Sequence, residues 1–394
     1  MPREPWLVDP LGHLIGAERV ESFFARIYER EALVVAHGEP KRFEGLLSID
    51  DVDRIVTNVD LREGQLDLAD ASTRRLSRTD YVDDAGYIDR GAVADFHRGG
   101  ATIILQQAHQ IEPSLGRFCR ALESVFSAHV QTNLYLTPPS AQGFKTHYDN
   151  HDVFVIQIAG EKAWRLYDKP VDTPFRGEGF HSDVHKAGAL HQEFVLKSGD
   201  CAYVPRGLMH DASTSGGEPS LHVTVGLITR TWADLMLEAV SEAALRSPEL
   251  RRSLPPGYAH GNFDRTAARA QMKQLGELVA REVKLDPALD LLADSFIRSR
   301  AADNRYAVRD AVKPVGENET FRLRTLCPYR LATDGEHVVL IAPGGELKFS
   351  AASRPALERA LSGQKFKPVD LEGIEKPTDL TAKLLAYGLI QRSN

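Results

Sequence analysis

Apolar positions fall at helical spacing in the first third of the chain, at strand-like spacing in the middle, and at helical spacing again beyond it. "GAERVESFFARIYERE" predicts an amphipathic helix over residues 16–31, and "ALVVAHG" a short strand after it. "SIDDVDRIV" predicts a helix start, because Ser48 is followed three residues later by Asp51. "PSLGRFCRALESVFSA" predicts a further amphipathic helix. From residue 131 the pattern changes to short β-rich segments: "TNLYLTPP", "DVFVIQIAG", "KAWRLYD", "HQEFVLKSGD", "CAYVPRG" and "LHVTVGLIT", separated by Gly, Pro, Asp or Asn. Within them "VIQIAGEKAWRLY" predicts a hairpin that turns at Ala159-Gly160-Glu161. Strands at this spacing suggest a sandwich or small barrel.

From Trp232 onward the spacing is helical once more, in "WADLMLEAVSEAALRS" and "AARAQMKQLGELVAREV", with "RSLPPGYAHG" as a loop between them. Residues 306–394 predict small strands and short helices. The expected class is α+β in three parts: 1–229, 230–305 and 306–394.

Composition narrows the function classes. The 394 residues are 42% apolar and 26% charged, an ordinary globular balance. A net charge of −7 argues against a general nucleic-acid binder. Cys119, Cys201 and Cys327 are odd in number and scattered, which predicts no disulfide framework and a reducing compartment. No run of about 18 apolar residues occurs. The expectation is a soluble, cytoplasmic protein with no membrane association.

The chemistry concentrates in "FKTHYDNHD", residues 144–152. Read as a strand, it puts His147 and Asp149 on one face; His151 would continue that face if the strand stayed regular, but is expected to leave it where the strand bends. Two His and one carboxylate on one face of a metal is the arrangement of non-haem Fe(II) oxygenases, which leaves positions open for a chelating co-substrate and O2. The third ligand must come from a distant strand. His210, in "GDCAYVPRGLMH", is the best placed, 63 residues after His147, and His222 in "SLHVTVGL" competes with it. An oxygenase that uses 2-oxoglutarate also needs a cation for the far carboxylate. Lys162 alternates inward with Trp164 and meets that need; an unpaired buried ammonium is otherwise costly. His181, His185 and His191 lie in a Gly-containing loop and predict a solvated segment rather than a second metal site. Trp164 and Tyr167 are expected in the barrel core, and Tyr135 and Tyr148 are candidates to face the pocket.

"NLYLTPPSAQGFKTHYDNHDVFVIQIAGEKAWRLY", "SGDCAYVPRGLMHDASTS" and "SLHVTVGL" together resemble the JmjC cupin domain of the ribosomal oxygenases. The resemblance implies a double-stranded β-helix (jelly-roll) core, a helical dimerisation region over 230–305 and a C-terminal winged helix over 306–394. It implies an Fe(II)- and 2-oxoglutarate-dependent dioxygenase that hydroxylates an Arg or His side chain of a protein or peptide, such as a ribosomal protein, and works as a homodimer. By motif, His147, Asp149 and His210 match the iron ligands. Lys162 matches the residue pairing with the 2-oxoglutarate C5 carboxylate, Asn133 an Asn near the co-substrate, and His222 a histidine beside the site. Gly226 stands where the family often has Ser, which implies one hydrogen bond fewer to the co-substrate. The insert within 172–194 lies where substrate-facing loops differ, so substrate identity does not transfer. Two other readings fit the same residues: a tailoring hydroxylase of natural-product peptides or a demethylase, and a non-enzymatic cupin/winged-helix binding module. For the winged helix, the acidic chain favours protein docking over direct DNA contact.

Overall fold

The computed structural model describes residues 4–70, 76–139, 141 and 145–393. The chain divides into two units, Met1–Thr229 and Arg230–Asn394. In the first, the strands are β1 (Leu33–Val35), β2 (Leu66–Ala69), β3 (Thr102–Leu105), β4 (His129–Thr137), β5 (Asp152–Ala159), β6 (Glu161–Tyr167), β7 (Leu190–Lys197), β8 (Cys201–Val204), β9 (His210–Thr214) and β10 (Ser220–Ile228). They form two antiparallel sheets, one ordered β1-β8-β5-β10-β4-β3-β2 and the other β7-β6-β9.

Strand β5 shows why its sequence is an unbroken apolar run rather than an alternating one. Val153 and Val155 face the small sheet, packing with Trp164 and Leu196. Phe154 and Ile156 face the other way, into a core shared with Trp6, Phe23, Ile55 and Phe118 of the N-terminal helices. A strand covered on both faces carries no polar alternation. The hairpin predicted at Ala159-Gly160-Glu161 joins β5 to β6. Gly160 has φ +65°, and a Cβ there would lie 2.3 Å from the Pro219 carbonyl oxygen. Only glycine fits that turn.

The helix start at Ser48 forms as its sequence predicts: Ser48 Oγ accepts from Asp51 N–H and Asp51 Oδ2 accepts from Ser48 N–H, opening the helix Ile49–Asn58. The helix predicted over 16–31 forms only over Ala17–Ile27, and irregularly. The segment breaks into a 3-10 turn at Ala17–Arg19, a short α-turn and a π-turn at Phe23–Ile27, ending at Glu29 with φ +64°. The wider turn seats Phe23 edge-on against Tyr203 and beside Phe154, and this packing outweighs regular helix geometry.

In the second unit, the helix Trp232–Arg246 opens on a Thr231–Asp234 capping box and buries Leu235, Ala239 and Ala243. Ala288 of the helix Leu285–Ser299 joins Leu235 and Ala239 in one small core. The helix Thr266–Glu282 buries no residue fully. Beyond it lie β11 (Phe321–Leu323), β12 (Arg330–Asp334), β13 (His337–Ala342), β14 (Gly345–Ser350) and β15 (Ile390–Arg392). β12, β13 and β14 make an antiparallel meander, and β11 pairs with β15. The helices Arg354–Leu361 and Pro377–Ala386 pack over a core that includes Leu340, Leu357, Phe366 and Leu384. Among the described residues no helix is long and apolar enough to cross a membrane.

Candidate metal centre

Residues 145–151 are not a strand. One isolated bridge joins His147 to His210 on β9, with His147 N–H donating to His210 O (3.0 Å) and His210 N–H to His147 O (2.7 Å). Around that bridge the chain bends, and Gly207 N–H donates to Asp149 O (2.9 Å). Phe144, at the start of the motif, lies outside the described residues.

The bends bring His147, Asp149 and His210 together. Their candidate ligand atoms lie within 4.8 Å of one another, and no other such group of His, Cys, Asp or Glu occurs among the described residues. Three atoms so placed share a point within about 2.8 Å of each (4.8 Å divided by √3), close to metal–ligand bond lengths of about 2.0–2.2 Å. Asp149 lies 4.0 Å from His147 Nε2 and 3.7 Å from His210 Nε2. The other ring nitrogens are occupied. His147 Nδ1 is 2.9 Å from Lys145 O, and His210 Nδ1 is 3.0 Å from Leu208 O. A carbonyl can only accept, so each Nδ1 carries the proton and each Nε2 presents a lone pair toward Asp149, the tautomer a metal requires. Burial, with His147 alongside, holds the His210 imidazole below its ordinary pKa and so neutral. Burial alone would raise the Asp149 carboxyl, but the neighbouring His210, His151 and His147 rings, when protonated, lower it below its ordinary value.

The same cavity contains Lys162, His222, Tyr135, Trp164, Thr102 and Thr224. Lys162 is buried on β6, on the same face as Trp164. Its Nζ donates to Thr137 Oγ1 (3.0 Å) and lies 3.4 Å from His222 Nδ1. No carboxylate pairs with it among the described residues, and burial drives its pKa down to about 7. His222 stacks on Tyr135 with ring centroids 4.7 Å apart and is held neutral by burial and by Lys162. Register places Lys162 opposite Thr214 and Leu166 opposite His210, a separation of four residues or about 13 Å along the strand. The cavity therefore has a three-ligand face at one end and a buried cation toward the other. A short dicarboxylate matches that polarity.

Five of the six residues singled out from sequence meet in this cavity. Asn133 does not line it: Asn133 Oδ1 accepts from Gln107 N–H (2.9 Å), in a left-handed turn. His151 leaves the ligand face, and its ring covers Gly226, where a Cβ would come within 2.6 Å of the imidazole. The glycine thus makes room for His151. Tyr148 points away from the cavity, and its hydroxyl donates to the Glu178 and Gly179 carbonyls. His181 and His185 bond to each other in an exposed loop, and His191 pairs with Asp168. Trp164 is buried as expected, whereas Tyr167 is half-buried and donates to Asp211.

Residues 104–235 match the JmjC domain family model. The chain carries a JmjC domain. It is 31% identical over 342 residues to "Ribosomal oxygenase 1" of Bos taurus, covering 83% of this chain and 48% of that protein. It is also 31% identical over 309 residues to the "Bifunctional lysine-specific demethylase and histidyl-hydroxylase NO66" of Drosophila erecta, covering 74% and 46%. The chain thus spans about half the length of these curated relatives. Among solved structures, the Escherichia coli ribosomal oxygenase YcfD shares the fold with a TM-score of 0.54 at 16% identity, over 95% of this chain and 98% of that one. YcfD has also been solved in complex with cobalt and 2-oxoglutarate. The sequence-level resemblance to JmjC ribosomal oxygenases and the cupin α+β class both stand.

Proposed function

We propose that the chain is an Fe(II)- and 2-oxoglutarate-dependent oxygenase that hydroxylates an Arg or His side chain of a protein or peptide, with a ribosomal protein as the substrate. One observation carries the reading: a three-ligand metal face and a buried lysine without a carboxylate partner share one cavity. The names of the relatives, ribosomal oxygenase and histidyl-hydroxylase, support the reaction class and the substrate.

In this reading His147, Asp149 and His210 hold the metal through two Nε2 lone pairs and a carboxylate, with Lys145 O and Leu208 O fixing the ring orientations. Iron with 2-oxoglutarate supplies, when bound, the O2-driven oxidation of an unactivated C–H coupled to decarboxylation of the 2-oxo acid. Lys162 neutralises the far carboxylate, and Thr137 orients its ammonium. His222 stays neutral beside it and so does not repel the lysine. Tyr135 and Trp164 wall the space between and exclude water from it.

The second unit fits a homodimer. Trp232, Met236, Leu237 and Leu245 are exposed on one helix, as is Met272 on the neighbouring helix that fully buries nothing. Helices of this kind draw their stability from packing, and a second copy of the same surface supplies it. The two helices and the meander of 306–394 support the winged-helix reading. Three buried free thiols fit a cytoplasmic setting.

The test is spectroscopic. Anaerobic addition of Fe(II) and 2-oxoglutarate should give a weak charge-transfer band near ~500 nm, as expected for a chelate on a site of two His and one carboxylate. Mass spectrometry of ribosomal proteins incubated aerobically with the enzyme should then show the gain of one oxygen atom, not the loss of a methyl group. Bound iron with neither a band nor 2-oxoglutarate consumption returns the chain to the binding-module reading.

A further inference from the structure

The metal ligands come from two segments joined along the backbone by the His147–His210 bridge, by Gly207 N–H to Asp149 O (2.9 Å) and by Thr214 N–H to Ala141 O (3.0 Å). The residues just outside the bridge add a charge-assisted side-chain link. Asp211, next to His210, is buried to 3% exposure. Its Oδ2 accepts from Thr146 Oγ1 at 2.7 Å, and Thr146 is the residue next to His147. The same Oδ2 accepts from Tyr167 OH at 2.8 Å. Its Oδ1 accepts from Arg165 Nε at 2.8 Å and lies 2.7 Å from Arg165 Nη2.

Each carboxylate oxygen therefore has two donors, so Asp211 is fully satisfied without the metal. Residues 165, 167 and 211 lie on the face of the small sheet opposite Trp164 and His210, by strand alternation and by the pairing of Arg165 with Asp211. The carboxylate thus fastens the His147 segment to β9 from behind, while the imidazoles project into the cavity. Tyr167 joins the same cluster, its hydroxyl bonding Asp211 and meeting the Thr146 hydroxyl.

We propose that Asp211 is a positioning residue for the metal centre: through Thr146 it locks the register of His147 against His210, so the site is assembled before metal binds. The proposal rests on the metal-centre reading above. Outer hydrogen-bond partners of this kind change metal affinity by about 10–100-fold.

The experiment is a Co(II) titration of the full chain, followed by the visible absorption of the bound ion, for wild type, Asp211→Asn, Thr146→Val and Thr146→Ser. Thr146→Val deletes one hydroxyl at nearly constant shape, so it keeps the proposal testable even if Asp211→Asn fails to fold. The expected result is Co(II) affinity about 10–100-fold weaker in Thr146→Val and Asp211→Asn, with wild-type affinity in Thr146→Ser, because serine restores the donor. A general packing role would not be rescued in this way. Thr146→Val with an affinity within threefold of wild type overturns the proposal. Failure of the wild-type chain to take up Co(II) overturns instead the metal-centre reading on which it rests.

Discussion

Replacing Lys162 by methionine should make the ligand-free protein more stable and 2-oxoglutarate binding far weaker. The two effects share one cause. Lys162 is buried, and burial lowers its ammonium from the ordinary 10.5 to about 7. A lysine with a folded-state pKa below its unfolded value destabilises the fold. The penalty is full below about pH 7, shrinks as pH rises toward 10.5, and is absent above that. At about 1.4 kcal/mol per tenfold, the full penalty is roughly 5 kcal/mol. Methionine has similar length and no charge. Thr137 Oγ1 loses one donor but still accepts from Thr102 Oγ1 at 3.2 Å, so no buried oxygen is orphaned. If imperfect packing cancels half the gain, about 2–3 kcal/mol remains, or some 5–10 °C in Tm at roughly 2–4 °C per kcal/mol for a unit of this size.

Binding moves the other way. Removing one partner of a buried charge pair costs about 2–5 kcal/mol, a loss of roughly 30-fold to several thousand-fold in affinity. The assay is differential scanning fluorimetry near pH 6.5, metal-loaded, with and without 2-oxoglutarate, plus a direct Kd. The wild-type affinity should also depend on pH. His222 is held neutral well below its usual range and Tyr135 is pushed up to about 12, so neither changes charge near pH 7. The Kd should be flat below about pH 7 and rise up to about tenfold per unit above it, as Lys162 loses its proton. A lower apo Tm for Lys162→Met, or a Kd within threefold of wild type, would refute the assignment of Lys162 as the anion site.

Two further perturbations test other parts of the molecule. Gly226→Ser should displace His151, since a Cβ there meets the ring at 2.6 Å; it should lower Tm by several degrees, and adding His151→Ala should restore most of the loss, whereas no rescue would mean the clash is not the cause. Leu237→Glu, at a position 70% exposed, should convert the proposed dimer to a monomer by light scattering without changing the circular dichroism, and a dimer that survives it would remove this helix from the interface.

Legibility in the sequence followed the range of the interactions. The Ser48–Asp51 cap, the β5–β6 turn at Gly160 and the strands β4, β5, β6, β8 and β10 rest on contacts within a few residues or on simple periodicity, and they formed as predicted. The helix predicted over 16–31 is shorter and irregular because Phe23 answers to Tyr203 and Phe154, residues far along the chain. β2, β3 and β9 were not anticipated: β2 and β3 are four residues long, and β9 carries His, Asp, Ser and Thr rather than an apolar alternation.

The metal centre shows the same division. Its ligand residues could be picked from residue type and spacing, and His151 leaves their face as expected, although residues 145–151 form a bend rather than a strand. A regular strand would have kept His151 on the ligand face and left the His147 Nδ1 without the Lys145 carbonyl. The bend does both jobs, turning His151 over Gly226 and presenting a carbonyl two residues before the ligand. The same relation recurs at His210 with Leu208. Two ligands from unrelated segments, each held in one tautomer by the carbonyl two residues back, are fixed by the backbone. Ring orientation should therefore tolerate changes in the surrounding side chains. What side chains must still secure is the register between the two segments, and no local pattern in the sequence marks the residues that do it, since Asp211, Thr146, Arg165 and Tyr167 meet only in the fold.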